Sequence, residues 1–128
     1  MNTELYILAA AGLLCLALPL IYVGLYAAQV GMPVVSGNRE GAPEPKGAAG
    51  RGLRAHRNLI ENLVPFAIAV LAARAIGVSN GLTVIGAWVF LGARLLHAVS
   101  YLAGITGIRT LAYLTGLVGT ILILSQLV

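Results

Sequence analysis

Charge is what this chain lacks most. Only 9% of its 128 residues are Asp, Glu, Lys or Arg, where a soluble domain carries roughly a quarter. A single cysteine, Cys15, excludes an intrachain disulfide and reads as a small packing residue in an apolar run. The two histidines, His56 and His97, have no matching ligand cluster around them, so no metal site is predicted. No serine or cysteine stands beside a base in a form suited to a nucleophilic triad. The flank Met1-Asn-Thr-Glu4 has no basic residue, and the apolar stretch behind it is too long for a signal-peptide core, so it reads as a retained first helix. The net charge of +4 has no basic surface domain to display it, which argues against nucleic acid as a partner.

What is present is apolar surface. Hydrophobic residues make up 59% of the chain and mean hydropathy is +0.95. Four long runs stand out, Leu5–Val30, Leu59–Ile76, Leu82–Leu102 and Ile108–Val128, each near the ~20 residues a membrane helix needs. The expected fold is all-α: one polytopic four-helix membrane domain over residues 1–128, with helices at roughly 5–30, 51–76, 82–103 and 107–128 and a loop at 31–50. Pro19 removes a backbone donor and should bend the first helix. The stretch Val35–Gly52 is rich in glycine and proline, cannot build a core, and reads as a flexible loop with turns. Arg39, Lys46, Arg51, Arg54 and Arg57 crowd the first connection and Arg109 follows the third, whereas the second offers only Arg74. The positive-inside rule therefore puts the first and third connections in the cytoplasm and both termini on the far side.

Polar stripes interrupt this apolar background. At 100° per residue, Arg51, Arg54, Asn58, Glu61 and Pro65 fall on one face of the second helix, with Asn62 at its edge, while His56 and Arg57 lie outside it. Arg51, Arg54 and Arg57 could simply snorkel to the headgroups. That reading fails for Glu61, a turn further in, with Pro65 leaving its carbonyl without a donor. On the third helix Arg94, His97 and Tyr101 form a stripe at i, i+3 and i+7. A buried guanidinium needs a carboxylate, and Glu61 is the acid in the same half of the membrane, so a Glu61–Arg94 pair is expected. Such a pair either belongs to a site or merely staples two helices. Arg109 heads a fourth stripe-bearing helix with Tyr113, Gly116 and Thr120, the last two spaced for close packing. Tyr22, Tyr26 and Gln29 share a face of the first helix, as an aromatic belt or as the wall of a cleft.

Together these ends hold an excess of cations around one carboxylate, suited to a small polyanion that carries an amine. The run Arg54-Ala-His56-Arg57-Asn58-Leu-Ile-Glu61-Asn62-Leu-Val-Pro65-Phe66 resembles the signature of the membrane-associated proteins in eicosanoid and glutathione metabolism, the MAPEG family. Gly92-Ala-Arg94-Leu-Leu-His97-Ala-Val-Ser-Tyr101, followed by Arg109, resembles its second signature. The resemblance implies a bacterial-type, microsomal glutathione transferase-like member in the inner membrane, built as a homotrimer with glutathione held between subunits as co-substrate. It implies that Arg51, Arg54, Asn58 and Glu61 hold the glutathione backbone, that Arg94 and Tyr101 complete the cleft, and that Arg109 is the catalytic residue that stabilises the thiolate for attack on an apolar electrophile. Peroxidase activity toward lipid hydroperoxides is an extension of the same chemistry. Two departures from the family pattern are visible: Tyr22–Met32 contains no basic residue, and Gly50 rather than an acid precedes Arg51. A non-catalytic trimeric binding or scaffold protein of the same family is the alternative. A small four-helix multidrug transporter ranks last, because the coupling carboxylate expected inside its first helix is missing here.

Overall fold

A computed structural model describes Asn2–Val128. Its elements, in order, are α1 (Thr3–Val30), α2 (Met32–Ser36), α3 (Gly47–Ala75), α4 (Gly81–Ala103) and α5 (Thr106–Leu124). The fold is all-helical among the described residues, and α1, α3, α4 and α5 are each long and apolar enough to cross a bilayer. The protein is an integral, multi-pass membrane protein. Its burial pattern is the reverse of a soluble bundle: Leu13, Leu20, Trp88 and Val118 face outward, while Glu4, Thr83, Arg94, His97 and Ser100 are buried. Lipid replaces water as the outer solvent, so apolar side chains lose nothing by exposure and polar ones seek partners within.

Helix ends follow local chemistry. The side-chain oxygen of Asn80 accepts from the amides of Leu82 and Thr83, and the Thr83 hydroxyl accepts from the Asn80 amide, a reciprocal cap that starts α4. Gly104, at φ 79°, ends α4 in the left-handed conformation that glycine adopts without strain. Pro19 and Pro65 lie inside continuous helices. α3 begins at Gly47, ahead of the expected start near Arg51.

Packing is tightest where side chains vanish. A methyl group on Gly119 would stand 2.6 Å from the Gly86 carbonyl oxygen and 2.7 Å from the Phe90 amide, so α4 and α5 touch backbone to backbone. One turn away, Phe66 of α3 stacks on Phe90 of α4 at 3.8 Å between centroids. Gly52 plays the corresponding role between α3 and α1, where a methyl would meet Tyr22 Cβ at 2.7 Å.

The helices alternate in direction, which gathers the connections at two ends. At one end, the buried carboxylate of Glu4 (α1) accepts hydroxyl hydrogen bonds from Ser79 at 2.8 Å and Thr83 at 2.6 Å. Asn80 there also donates to Gln126, near the C-terminus. At the opposite end lie the α1–α3 connection and the α4–α5 turn, where Arg51 Nε donates to the Leu102 carbonyl at 3.1 Å. The first and third connections therefore share one end, as the distribution of arginines requires.

The glycine- and proline-rich connection is more ordered than its composition suggests. It opens with the single-turn α2, and the segment that follows is tied back to α1. The Gln29 carboxamide donates to the Lys46 carbonyl at 2.7 Å and accepts from the Lys46 amide at 3.1 Å. The Tyr26 hydroxyl donates to the Pro43 carbonyl. Tyr26 and Gln29 thus do more than form an interfacial belt, and Gln29 also lines a cleft with Pro43, Glu44 and Lys46. They fasten a strap, because a proline-rich segment has backbone acceptors to spare and a buried phenol needs one.

Candidate functional site

The site is assembled by three helices at the end that holds the first and third connections. α3 contributes Arg51, Arg54 and Asn58, α4 contributes Arg94, His97 and Tyr101, and α5 contributes Arg109 and Tyr113. Asn58, His97, Tyr101, Arg109, Thr110 and Tyr113 line a cleft of about 270 Å³. Arg94 is its floor. The residue is only 1% exposed, and Gly116 makes room for it: a methyl there would meet Arg94 Cδ at 3.4 Å.

The expected Glu61–Arg94 pair is not formed within the protomer. Arg94 Nη2 donates to the side-chain oxygen of Asn58 instead, and Nε and Nη1 are buried without a partner among the described residues. Asn62 donates back to the Asn58 carbonyl at 2.8 Å, which steadies the turn that aims Asn58 at α4. Glu61 is exposed on the outer side of α3. The physical reason is angular. Glu61 is 60° round the helix from Asn58, enough to turn its carboxylate away from α4 while Asn58 points into it.

Tyr101 is the centre of the upper site. The Arg109 guanidinium lies 4.2 Å from its ring centroid and that of Arg54 lies 5.9 Å away. The His97 ring meets Tyr101 edge-on at 5.4 Å, and His97 Nδ1 faces Arg94 Nη2 at 3.5 Å. A guanidinium has no lone pair to offer, so Nδ1 can serve only as the acceptor in this contact. Arg51 stands at the rim, with its Nε committed to the last turn of α4. His56, on the opposite face of α3, packs its ring against Tyr22 of α1 at 5.7 Å.

The structure thus brings Arg54, Asn58, Arg94, Tyr101 and Arg109 into one cluster, with Arg51 at its edge and Glu61 outside it. His97, Thr110 and Tyr113 complete the cleft although they were not singled out as ligand contacts. A signal for two of them was present: His97 lies on the Arg94–Tyr101 stripe, and Tyr113 lies one turn beyond Arg109. What such a cluster can do is hold an anion. Its cations rest on neutral groups, namely a carboxamide, a carbonyl and an aromatic face, and none of these cancels their charge.

Comparison with known proteins identifies the family. The model of the MAPEG family matches residues 6–128, essentially the whole chain. The chain belongs to the MAPEG family. No curated protein and no solved structure matches it. For this MAPEG chain, the matched range covers α3, α4 and α5 and all but the first residues of α1, and the cluster at Tyr101 lies within it.

Proposed function

We propose that the protein is a membrane-embedded glutathione-dependent transferase that joins the glutathione thiolate to apolar electrophiles at the cytoplasmic side. The observation that carries this reading is Arg109. Its guanidinium sits on the Tyr101 ring at the mouth of a cleft that also holds Asn58, His97 and Tyr113, with no carboxylate among the cleft's lining residues. A free thiol of pKa about 8.5 is largely protonated at neutral pH, and an adjacent cation favours the thiolate. Family membership is consistent with the chemistry.

The geometry supports a division of labour. Arg51, Arg54 and Arg94 supply positive charge for the two carboxylates of glutathione, and Asn58 offers an amide to its backbone. Arg109 stabilises the sulfur anion once its proton has left to solvent. The thiolate attacks an electrophilic carbon that arrives from the lipid side. The sulfur–carbon bond forms as the leaving group departs with its electron pair. With a lipid hydroperoxide, two glutathione molecules would yield the disulfide, the lipid alcohol and water.

We infer that the working unit is a homotrimer. Glu61 is exposed in the isolated protomer although it lies within a membrane-spanning helix, and a carboxylate cannot face hydrocarbon cheaply. A neighbouring copy that covers α3 would bury Glu61 and close the outer wall of the cleft, where the carboxylate could meet the ammonium of glutathione.

A second reading is a non-catalytic trimeric binding or scaffold protein. It draws on the structural employment of Arg51 as a cap on α4 and of Arg109 as a partner of Tyr101. Thiolate ultraviolet absorbance on adding glutathione to detergent-purified protein separates the two. The transferase reading expects a thiolate signal that Arg109→Ala abolishes while the unfolding temperature is kept. Absence of the signal, together with no protection from heating by glutathione, refutes the enzyme.

A further inference from the structure

A second cleft opens on the other side of Arg54, and its chemistry differs from the first. About 290 Å³ in volume, it is lined by Glu44, Pro45, Gly50, Leu53, Arg54 and Arg57. One wall is the connection and the other is the first turns of α3. The two walls are pressed together: a methyl on Gly50 would stand 2.7 Å from the Pro45 carbonyl oxygen. The strap bonds from Gln29 to Lys46 and from Tyr26 to Pro43 hold the connection in place, so Glu44 is presented from an anchored segment. Arg54 lines this cleft and also approaches the first, its guanidinium carbon 5.9 Å from the centroid of the Tyr101 ring.

Depth fixes what could reach this cleft. The 29 residues of α3 span about 43 Å at 1.5 Å each, against a hydrocarbon core of about 30 Å. The apolar run Leu59–Ile76 occupies that core, which leaves Gly47–Arg57 at the level of the lipid phosphates. Two arginines and one glutamate, Arg54, Arg57 and Glu44, line the cleft together there, and all three are exposed. Cations alone would suit any anionic headgroup. The added carboxylate selects a ligand that carries an ammonium beside its phosphate. No aromatic residue lines the cleft, so it lacks the cage that favours a quaternary ammonium, and a hydrogen-bonding primary ammonium fits Glu44 better.

We propose that this cleft binds the headgroup of a phosphoethanolamine lipid, with Arg57 and the outer edge of Arg54 on the phosphate and Glu44 on the ammonium. The proposal is independent of glutathione. It would make the strap a lipid-sensing wall that shares Arg54 with the neighbouring cleft.

Native mass spectrometry of the detergent-purified protein, titrated with phosphatidylethanolamine, phosphatidylcholine and phosphatidylglycerol in turn, tests it. The expected result is retention of phosphatidylethanolamine at about tenfold lower concentration than the other two, the scale of one charge-assisted hydrogen bond. Glu44→Gln should erase that preference while leaving phosphatidylglycerol retention intact, and Arg57→Gln should weaken both. Glutathione binding by both variants should equal that of the wild type. Equal retention of the three lipids by wild-type protein, or a preference that survives both substitutions, overturns the assignment. Retention of soluble phosphoethanolamine with no retained lipid would place the ligand in solution and overturn it too.

Discussion

Asn58→Ala tests the least expected contact in the site. Asn58 supplies the carboxamide oxygen that receives Arg94 Nη2, and the other two guanidinium nitrogens of Arg94 already lack partners. Arg94 is 1% exposed, so no water can replace the lost acceptor without opening the helices. Losing a hydrogen bond to a buried charge costs about 1.5–3 kcal/mol, and the upper half of that range applies because only the 3.5 Å contact to His97 Nδ1 then remains. A loss of about 3 kcal/mol lowers the unfolding temperature of a domain of this size by about 10 °C. Arg94→Leu removes the charge that needs the partner, so the double variant Asn58→Ala/Arg94→Leu should be no less stable than Arg94→Leu alone. The assay is thermal unfolding in detergent without glutathione, read as a double-mutant cycle. A coupling of about 2 kcal/mol is expected. Additivity within about 0.5 kcal/mol would mean that Asn58 does not hold Arg94, and the account of the cleft floor would fall.

Other predictions rest on separate contacts. Gly119→Ala pushes a methyl to within 2.6 Å of the Gly86 carbonyl and should destabilise the α4–α5 contact by about 2 kcal/mol, seen as a lower unfolding temperature in detergent. Gln29→Ala removes both strap bonds to Lys46, so the Lys46 and Gly50 amides should exchange with deuterium about tenfold faster while α4 exchange is unchanged. Glu61→Gln should leave protomer stability within about 0.5 kcal/mol, because Glu61 is exposed and does not pair with Arg94. Under the glutathione reading it should still weaken glutathione binding, measured by titration calorimetry. A large loss of stability from Glu61→Gln in monomeric detergent complexes would restore the discarded ion pair.

The four membrane helices were legible because hydropathy is a sum over some twenty residues, and single exceptions such as Pro19, Pro65 or Arg94 do not change it. The shared end of the first and third connections was legible for a similar reason, since it follows from an even number of reversals and from the placement of the arginines. Helical stripes brought Asn58, Arg94 and Tyr101 within reach of one another. What they could not resolve was a choice between neighbours on one stripe. Asn58 and Glu61 sit on the same face at a turn's separation, and charge favours Glu61 as the partner of Arg94, yet 60° of rotation gives the bond to Asn58. The Glu4 network was invisible for a different reason. Its hydroxyl partners, Ser79 and Thr83, lie in a turn far along the chain, and only helix packing brings that turn to the start of α1. The strap was masked by composition, which counts glycine and proline but cannot see that Gln29 offers both a donor and an acceptor to one residue.

The missing ion pair bears on function more than its presence would have. Had Glu61 paired with Arg94, the floor of the cleft would be neutral and the pair would serve chiefly to hold α3 to α4. Instead, the cations of the cluster rest on groups without charge: Arg94 on a carboxamide, Arg51 on a carbonyl, and Arg54 and Arg109 near the ring of Tyr101. Such contacts orient a guanidinium and relieve part of its desolvation while leaving its field almost intact. In a medium of low dielectric that field is strong, and several like charges held close together repel. The repulsion is a standing cost of the unliganded state. An anion that enters the cleft relieves it, so part of the ligand's affinity is already stored in the way the helices are packed. A ligand of net negative charge is therefore favoured over a neutral one of the same shape.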